Sequence, residues 1–361
     1  MKKDVIFFSN PFGFGPTCEV AILMNMGMSM WKNARLHYVA SSECTEILDD
    51  KGIHVIPANQ RDPEQIKEIL ASYQNPCVVS SLNRFAVKVA HEQHYPNCFV
   101  DNLTWMWDEI PEEYLLTDMY FALNFPGIDS KIQDQPKLIK IPYIIDTFMS
   151  KDYVDSEVLV NIGGGMNPLT KKIPTAFLQI LAKAIATSNN RGIILCGGQE
   201  SMTYAKQYLP HNECLTLKKD IFLASLTHTK HFVTTPGLNA TMEAFFYGIP
   251  VSFLMPTNLS HWNILNVLLK QDVVPQKIRW EDILEQPLDF RNTPEKVAIP
   301  RLEEIADTIL QDKKLLDKAV HMLYNMFLEP KSSKKQKEFI TTLGTNGAEV
   351  VSQTLMDRWG L

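Results

Sequence analysis

Thr234-Thr-Pro-Gly-Leu-Asn-Ala-Thr-Met-Glu-Ala-Phe-Phe-Tyr-Gly-Ile-Pro250 packs a strand end, a tight turn, a helix start and one carboxylate into a single unit. His231-Phe-Val-Thr-Thr235 is short, apolar and β-branched, as a buried strand is. Pro236-Gly237 is turn chemistry, and Leu238 to Tyr247 reads as a ten-residue helix closed by Gly248 just beyond its last turn. A turn without bulky side chains at a helix N-terminus presents main-chain N–H groups and the positive end of the helix dipole, which suits phosphate oxygens. Glu243, about one turn in, is placed where a carboxylate can accept hydrogen bonds from both hydroxyls of a ribose. An ordinary strand, turn and helix with a solvent-facing Glu fits the same residues.

The strand–turn–helix plan recurs on both sides of this stretch. Glu157-Val-Leu-Val-Asn-Ile-Gly-Gly-Gly-Met-Asn-Pro168 is a strand followed by three glycines, then an apolar-periodic helix from Ala176 to Ala186 and a strand within Gly192–Gly198. Cys214-Leu-Thr-Leu and Pro250-Val-Ser-Phe-Leu continue the series. The chain opens in the same way: Asp4-Val-Ile-Phe-Phe-Ser-Asn-Pro-Phe-Gly-Phe-Gly-Pro16 is a strand running into a Gly-bearing turn, with Pro16 at the start of an apolar stretch from Val20 to Met30. His37-Tyr-Val-Ala, His54-Val-Ile-Pro, Cys77-Val-Val-Ser-Ser and Cys98-Phe-Val-Asp read as further short strands. Strands alternating with helices at this spacing predict parallel sheets covered on both faces. Lys137-Leu-Ile-Lys-Ile-Pro-Tyr-Ile-Ile-Asp146 lies between the halves, and the polar stretch from Ser150 to Ser156 is the expected hinge.

At Gly237, Glu243, Gly248 and Pro250 the chain resembles the donor-binding domain of GT-B glycosyltransferases, in particular the MurG-type and UDP-glycosyltransferase group. The resemblance implies an α/β fold of two doubly wound, Rossmann-like domains facing across a cleft. Residues 1–146 would bind the acceptor, 155–330 the nucleotide-sugar donor, and 331–361 would form helices returning to the first domain. It also implies that the turn backbone at Gly237, Leu238 and Asn239 holds a diphosphate, that Glu243 holds the ribose, and that Gly163, Gly164 and Gly165 let the donor phosphates approach. A plain tight turn explains the three glycines equally well. The family carries a Gln-x-x-Asn run near the donor; here Asn263 and Asn266 keep the spacing, with Asn263 replacing Gln.

Glycosyl transfer needs a base for the acceptor and charge stabilisation for the departing diphosphate. GT-B enzymes provide the second with helix dipoles and amides, so no cofactor or metal is expected beyond a UDP-sugar as co-substrate, and the sequence has no Asp-x-Asp. Many relatives place a catalytic His in the first Gly-bearing loop, but Pro11-Phe-Gly-Phe-Gly-Pro-Thr-Cys-Glu19 has none. Glu19 is the nearest titratable group there, and a carboxylate early in a helix also serves the dipole. Asp101 is the other candidate base. In Val100-Asp-Asn-Leu-Thr-Trp-Met-Trp-Asp108 it ends a strand, with Trp105 and Trp107 as aromatic walls for an acceptor or, equally, as packing, and with Asp101 or Asp108 as a helix cap. Phe14 and Gly15 complete the acceptor candidates. The same run is similar to cytosylglucuronate synthase-like enzymes, which implies a nucleobase acceptor. A UDP-sugar epimerase or hydrolase and a non-catalytic nucleotide-sugar-binding partner protein are the rival readings.

With 361 residues, two domains are the default. Apolar content of 45% and charged content of 21% describe a globular chain with ample core. A net charge of −6 with scattered basic residues argues against nucleic acid as a partner. The N-terminus enters a short apolar strand without the hydrophobic region of a signal peptide, no apolar run is long enough to span a membrane, and the six cysteines form no CxxC pair, so a cytoplasmic location is expected. Gly13-Phe-Gly15 lacks the third glycine of the dinucleotide fingerprint, and His91 and His94 are not spaced as a zinc pair.

Overall fold

The computed structural model describes the chain except for residues 1, 12–13, 42–44, 46–52, 136, 166–171, 189–191 and 210–212. It divides into two units, Met1–Asp146 with Thr341–Leu361, and Thr147–Ile340.

The first unit is built on a parallel sheet of β1 (Lys3–Ser9), β2 (Ala34–Ala40), β3 (His54–Pro57), β4 (Cys77–Ser81), β5 (Asn97–Asp101), β6 (Met119–Leu123) and β7 (Leu138–Ile141), in the order β3-β2-β1-β4-β5-β6-β7. Val5, Ile6, Phe7 and Phe8 are fully buried, because helices cover both faces and a central parallel strand must be apolar on both sides. The helices begin where side chains satisfy their opening N–H groups: Asp62 accepts from Glu64 and Gln65 ahead of Pro63–Ala71, and Asn83 accepts from Ala86 ahead of Arg84–Glu92. The chain's last helix, Gly347–Trp359, joins this unit; Trp31 Nε1 donates to the Ser352 carbonyl at 3.0 Å.

The second unit repeats the plan with five parallel strands, β8 (Val158–Asn161), β9 (Ile193–Cys196), β10 (Glu213–Leu215), β11 (His231–Thr234) and β12 (Val251–Phe253), ordered β10-β9-β8-β11-β12. Phe177, Leu181, Trp280, Phe290, Leu302 and Leu323 belong to its core. The deciding stretch folds as read: the helix is Leu238–Tyr247, and Gly248 ends it at φ +74°, a conformation that favours glycine. In each sheet the strand order reverses beside the first strand, between β1 and β4 and between β8 and β11, which opens a crevice at their carboxyl ends. No helix among the described residues is long and apolar enough to cross a membrane.

Three readings are corrected. Leu138–Ile141, read as part of a connector, is the seventh strand of the first sheet, pairing with β6; Leu138 and Ile141 face inward, and a half-exposed edge strand carries a weaker apolar signal. The expected hinge at Ser150–Ser156 is held against the helix Lys219–His228: Val154 N donates to Ser225 Oγ at 2.9 Å and the Tyr153 ring stacks on His228 at 3.7 Å. Glu19 lies beyond the opening turn of the helix Gly15–Met30, which has no acidic residue there, so a dipole role does not explain it.

Candidate functional site

In the second unit, the β8 and β11 loops lie side by side. Thr234 is the register partner of Asn161, and Thr235 N donates to the Asn161 carbonyl at 3.1 Å. Asn161 organises both loops: its Oδ1 accepts from Gly163 N at 3.1 Å and its Nδ2 donates to Thr234 Oγ1 at 3.3 Å. The Gly163–Gly165 turn and the Gly237 helix start therefore follow neighbouring strand ends. Gly165 has reason to be glycine, with φ +72° and a Cβ position 2.1 Å from Ser201 Oγ. Gly163 at φ +64° has nothing within 4 Å of its Cβ position, so that face of the turn is open. Gly164, between them, is half-buried. Gly237 occupies the N-cap with no capping side chain. A helix that opens this way offers main-chain donors and its dipole to an anion. Leu238 is buried beneath the turn and Asn239 is half-buried on it.

Glu243 is 1% exposed, and its Oε1 accepts from Lys219 Nζ at 2.5 Å. Lys219 opens the helix Lys219–His228 and its ammonium lies 5.7 Å from the Phe222 ring centre. The sequence reading missed Lys219, because lysines in a helix's first turn carry no signal of their own and its partner is 24 residues away. Asn263 is half-buried in the helix Leu259–Lys270, which Asn258 caps by accepting from His261 N at 2.8 Å.

In the first unit, the carboxyl ends of β4 and β5 meet at Glu19. Ser81 Oγ donates to Glu19 Oε2 at 2.8 Å and Asn102 Nδ2 donates to Oε1 at 2.5 Å. Glu19 is 1% exposed, and burial first, with the Asp101 charge second among the raising causes, pushes its pKa up to about 8. At the end of β1, Ser9 Oγ lies 2.6 Å from Tyr38 Oη and 3.3 Å from Thr17 Oγ1. Ser9, Ser81 and Asn102 were not singled out from sequence; their position at strand ends was the only available signal.

Asp101 ends β5 as expected from sequence but is fully buried and engaged on both oxygens. Leu103 N donates to Oδ1, while Trp107 Nε1 at 3.0 Å and Tyr120 Oη at 2.5 Å donate to Oδ2. Three donors fix it as the anchor of the turn after β5; Glu19 is likewise buried, with one donor on each oxygen. Trp105 donates its Nε1 to the Asn102 carbonyl at 3.0 Å and its ring centre lies 4.8 Å from that of Phe125. Both tryptophans are half-buried, each with its N–H used internally. Phe14 and Gly15 begin the helix that carries Glu19 and are half-buried; Gly13 lies outside the described residues.

No protein-family model matches the sequence, and none of the curated proteins does. Solved structures do match. MurG of Acinetobacter baumannii is 9% identical over 98% of this chain and 99% of its own, with a TM-score of 0.52. A UDP-glucosyltransferase from Polygonum tinctorium capable of glucosylating indoxyl is 12% identical over 95% and 99%, with a TM-score of 0.51. A Listeria monocytogenes protein described as a UDP-N-acetylglucosamine 2-epimerase is 14% identical over 94% and 95%, at 0.52. The fold is that of the GT-B glycosyltransferases. At these identities the likeness establishes the GT-B fold of the two units and leaves substrate and residue roles to the site itself.

Proposed function

We propose that this GT-B chain is a glycosyltransferase that moves a sugar from a UDP-sugar to a small-molecule acceptor. The carrying observation is the pair of loops at the β8–β11 switch point, where an open glycine turn and an uncapped helix start follow neighbouring strand ends. The amides around Gly237, Leu238 and Asn239, with the Gly163–Gly165 turn, hold the diphosphate; the helix dipole stabilises the charge that grows on it as its bond to the anomeric carbon breaks. Glu243, held by Lys219, takes the ribose hydroxyls, and Asn263 lies on the donor side. On the first unit, Glu19 accepts the acceptor's proton while the acceptor's oxygen or nitrogen bonds to the anomeric carbon, and UDP leaves. A base with a pKa of about 8 makes transfer rise with pH and level off above that value.

The test is incubation with UDP-sugars and a panel of small acceptors, nucleobases included, with product detection by mass spectrometry. Acceptor-dependent UDP release with a glycosylated product is expected, together with its loss in Glu19→Gln. The likeness to the epimerase-described protein favours a second reading, UDP-sugar epimerisation. Conversion of a UDP-sugar with no acceptor present would select it, and UDP binding without any turnover would leave a binding protein.

A further inference from the structure

The other end of the first sheet holds an arrangement the transfer reaction does not use. His37 on β2 and His54 on the edge strand β3 are register partners, so their side chains share one face. Their Nδ1 atoms are 3.0 Å apart. His37 Nε2 lies 2.9 Å from Oδ1 of Asp4, a residue only 4% exposed, whose oxygens also accept from Arg35 Nε at 2.8 Å and Nη2 at 2.6 Å. The Tyr73 ring lies 4.7 Å from the His37 ring and limits its swing. Asp4 therefore holds the proton of His37 on Nε2 and leaves the Nδ1 lone pair aimed at His54.

The geometry points to a divalent transition-metal site on His37 Nδ1 and His54 Nδ1, with water completing the coordination. At a metal–nitrogen length of about 2.05 Å, nitrogens 3.0 Å apart subtend about 94° at the metal. Imidazole nitrogens suit nickel(II), copper(II) and zinc(II) alike, and ring movement on binding sets the final angle. Binding moves the proton of His54 from Nδ1 to its Nε2 and turns the exposed His54 ring so that its lone pair faces the ion. A carboxylate behind a ligating histidine, as Asp4 is here, orients the ring and fixes its tautomer. His54 is exposed, which gives the ion a way in, while His37 is mostly covered. The ion would pin the edge strand β3 to β2. Among the described residues no group of three or more His, Cys, Asp or Glu could hold a metal, so this two-histidine pair is a site of modest affinity.

The experiment is calorimetric titration of the full chain with nickel(II) in a non-chelating buffer, paired with thermal melts. One equivalent should bind and raise the melting temperature. His54→Ala, at an exposed position, should lose both effects; Asp4→Asn, if folded by circular dichroism, should bind about tenfold or more weakly. A His91→Ala/His94→Ala variant should bind as the parent does. No binding by the parent, unchanged binding by His54→Ala, or loss of binding in the His91/His94 variant would each overturn the assignment. None of these outcomes bears on nucleotide binding, which rests on the second unit.

Discussion

Glu19→Gln tests the buried network of the first unit through its proton. The glutamine keeps the size and one acceptor oxygen, enough for Asn102, while its NH2 can donate to the Ser81 hydroxyl, but it cannot ionise. In the folded chain the Glu19 pKa is raised, chiefly by burial, from 4.5 to about 8. The folded state thus binds this proton more tightly than the unfolded chain does. The resulting stability is fully present below pH 4.5, declines as pH rises, and is gone above about 8. That interval, at about 1.4 kcal/mol per pH unit, amounts to about 5 kcal/mol. Urea unfolding of the parent and Glu19→Gln at half-unit steps from pH 4 to 9 reads it directly. The variant should gain on the parent by about 1.4 kcal/mol per pH unit between pH 5 and 8, with flat differences on either side. Parallel stability curves across that window would show that Glu19 titrates as an ordinary surface carboxyl, and would remove the physical basis for its role as base.

Further predictions concern the second unit. Glu243→Gln removes the carboxylate bonded to the Lys219 ammonium, whose side chain is only 10% exposed, and should lower stability together with UDP affinity. Lys219→Met combined with Glu243→Leu should recover most of the stability but not the binding, as a double-mutant cycle in urea would measure. Gly165→Ala should lower the melting temperature more than Gly163→Ala: both have positive φ, costing about 1–2 kcal/mol, but only Gly165 drives a methyl into Ser201 Oγ. Equal melting temperatures would contradict the close approach at Ser201.

The architecture was legible because its signals are local. Central strands such as Val5–Phe8 are uninterrupted apolar runs, and the helix Leu238–Tyr247 carries its own stop in Gly248. The same locality hid β7, whose four residues Leu138-Ile-Lys-Ile141 resemble a connector until β6 lies beside them. The site was half legible. The glycine turns announce themselves through backbone freedom, and they follow neighbouring strands. What sequence could not show is pairing at a distance: Lys219 with Glu243, and Ser81 and Asn102 on Glu19, depend on which strand ends the sheet order makes neighbours. Asp101 shows the reverse limit, since its strand-end position was read correctly while the three donors that occupy it come from residues whose direction only the folded turn defines.

The most direct measurement is the melting temperature of the purified chain against saturating UDP, TDP, GDP, ADP, CDP and NAD, because a ligand that binds only the folded state raises it by mass action. A GT-B donor site at Gly237 and Glu243 predicts a rise with UDP well above the others, reduced in Glu243→Gln. No rise with any nucleoside diphosphate would contradict the donor site and leave the two glycine loops as scaffold.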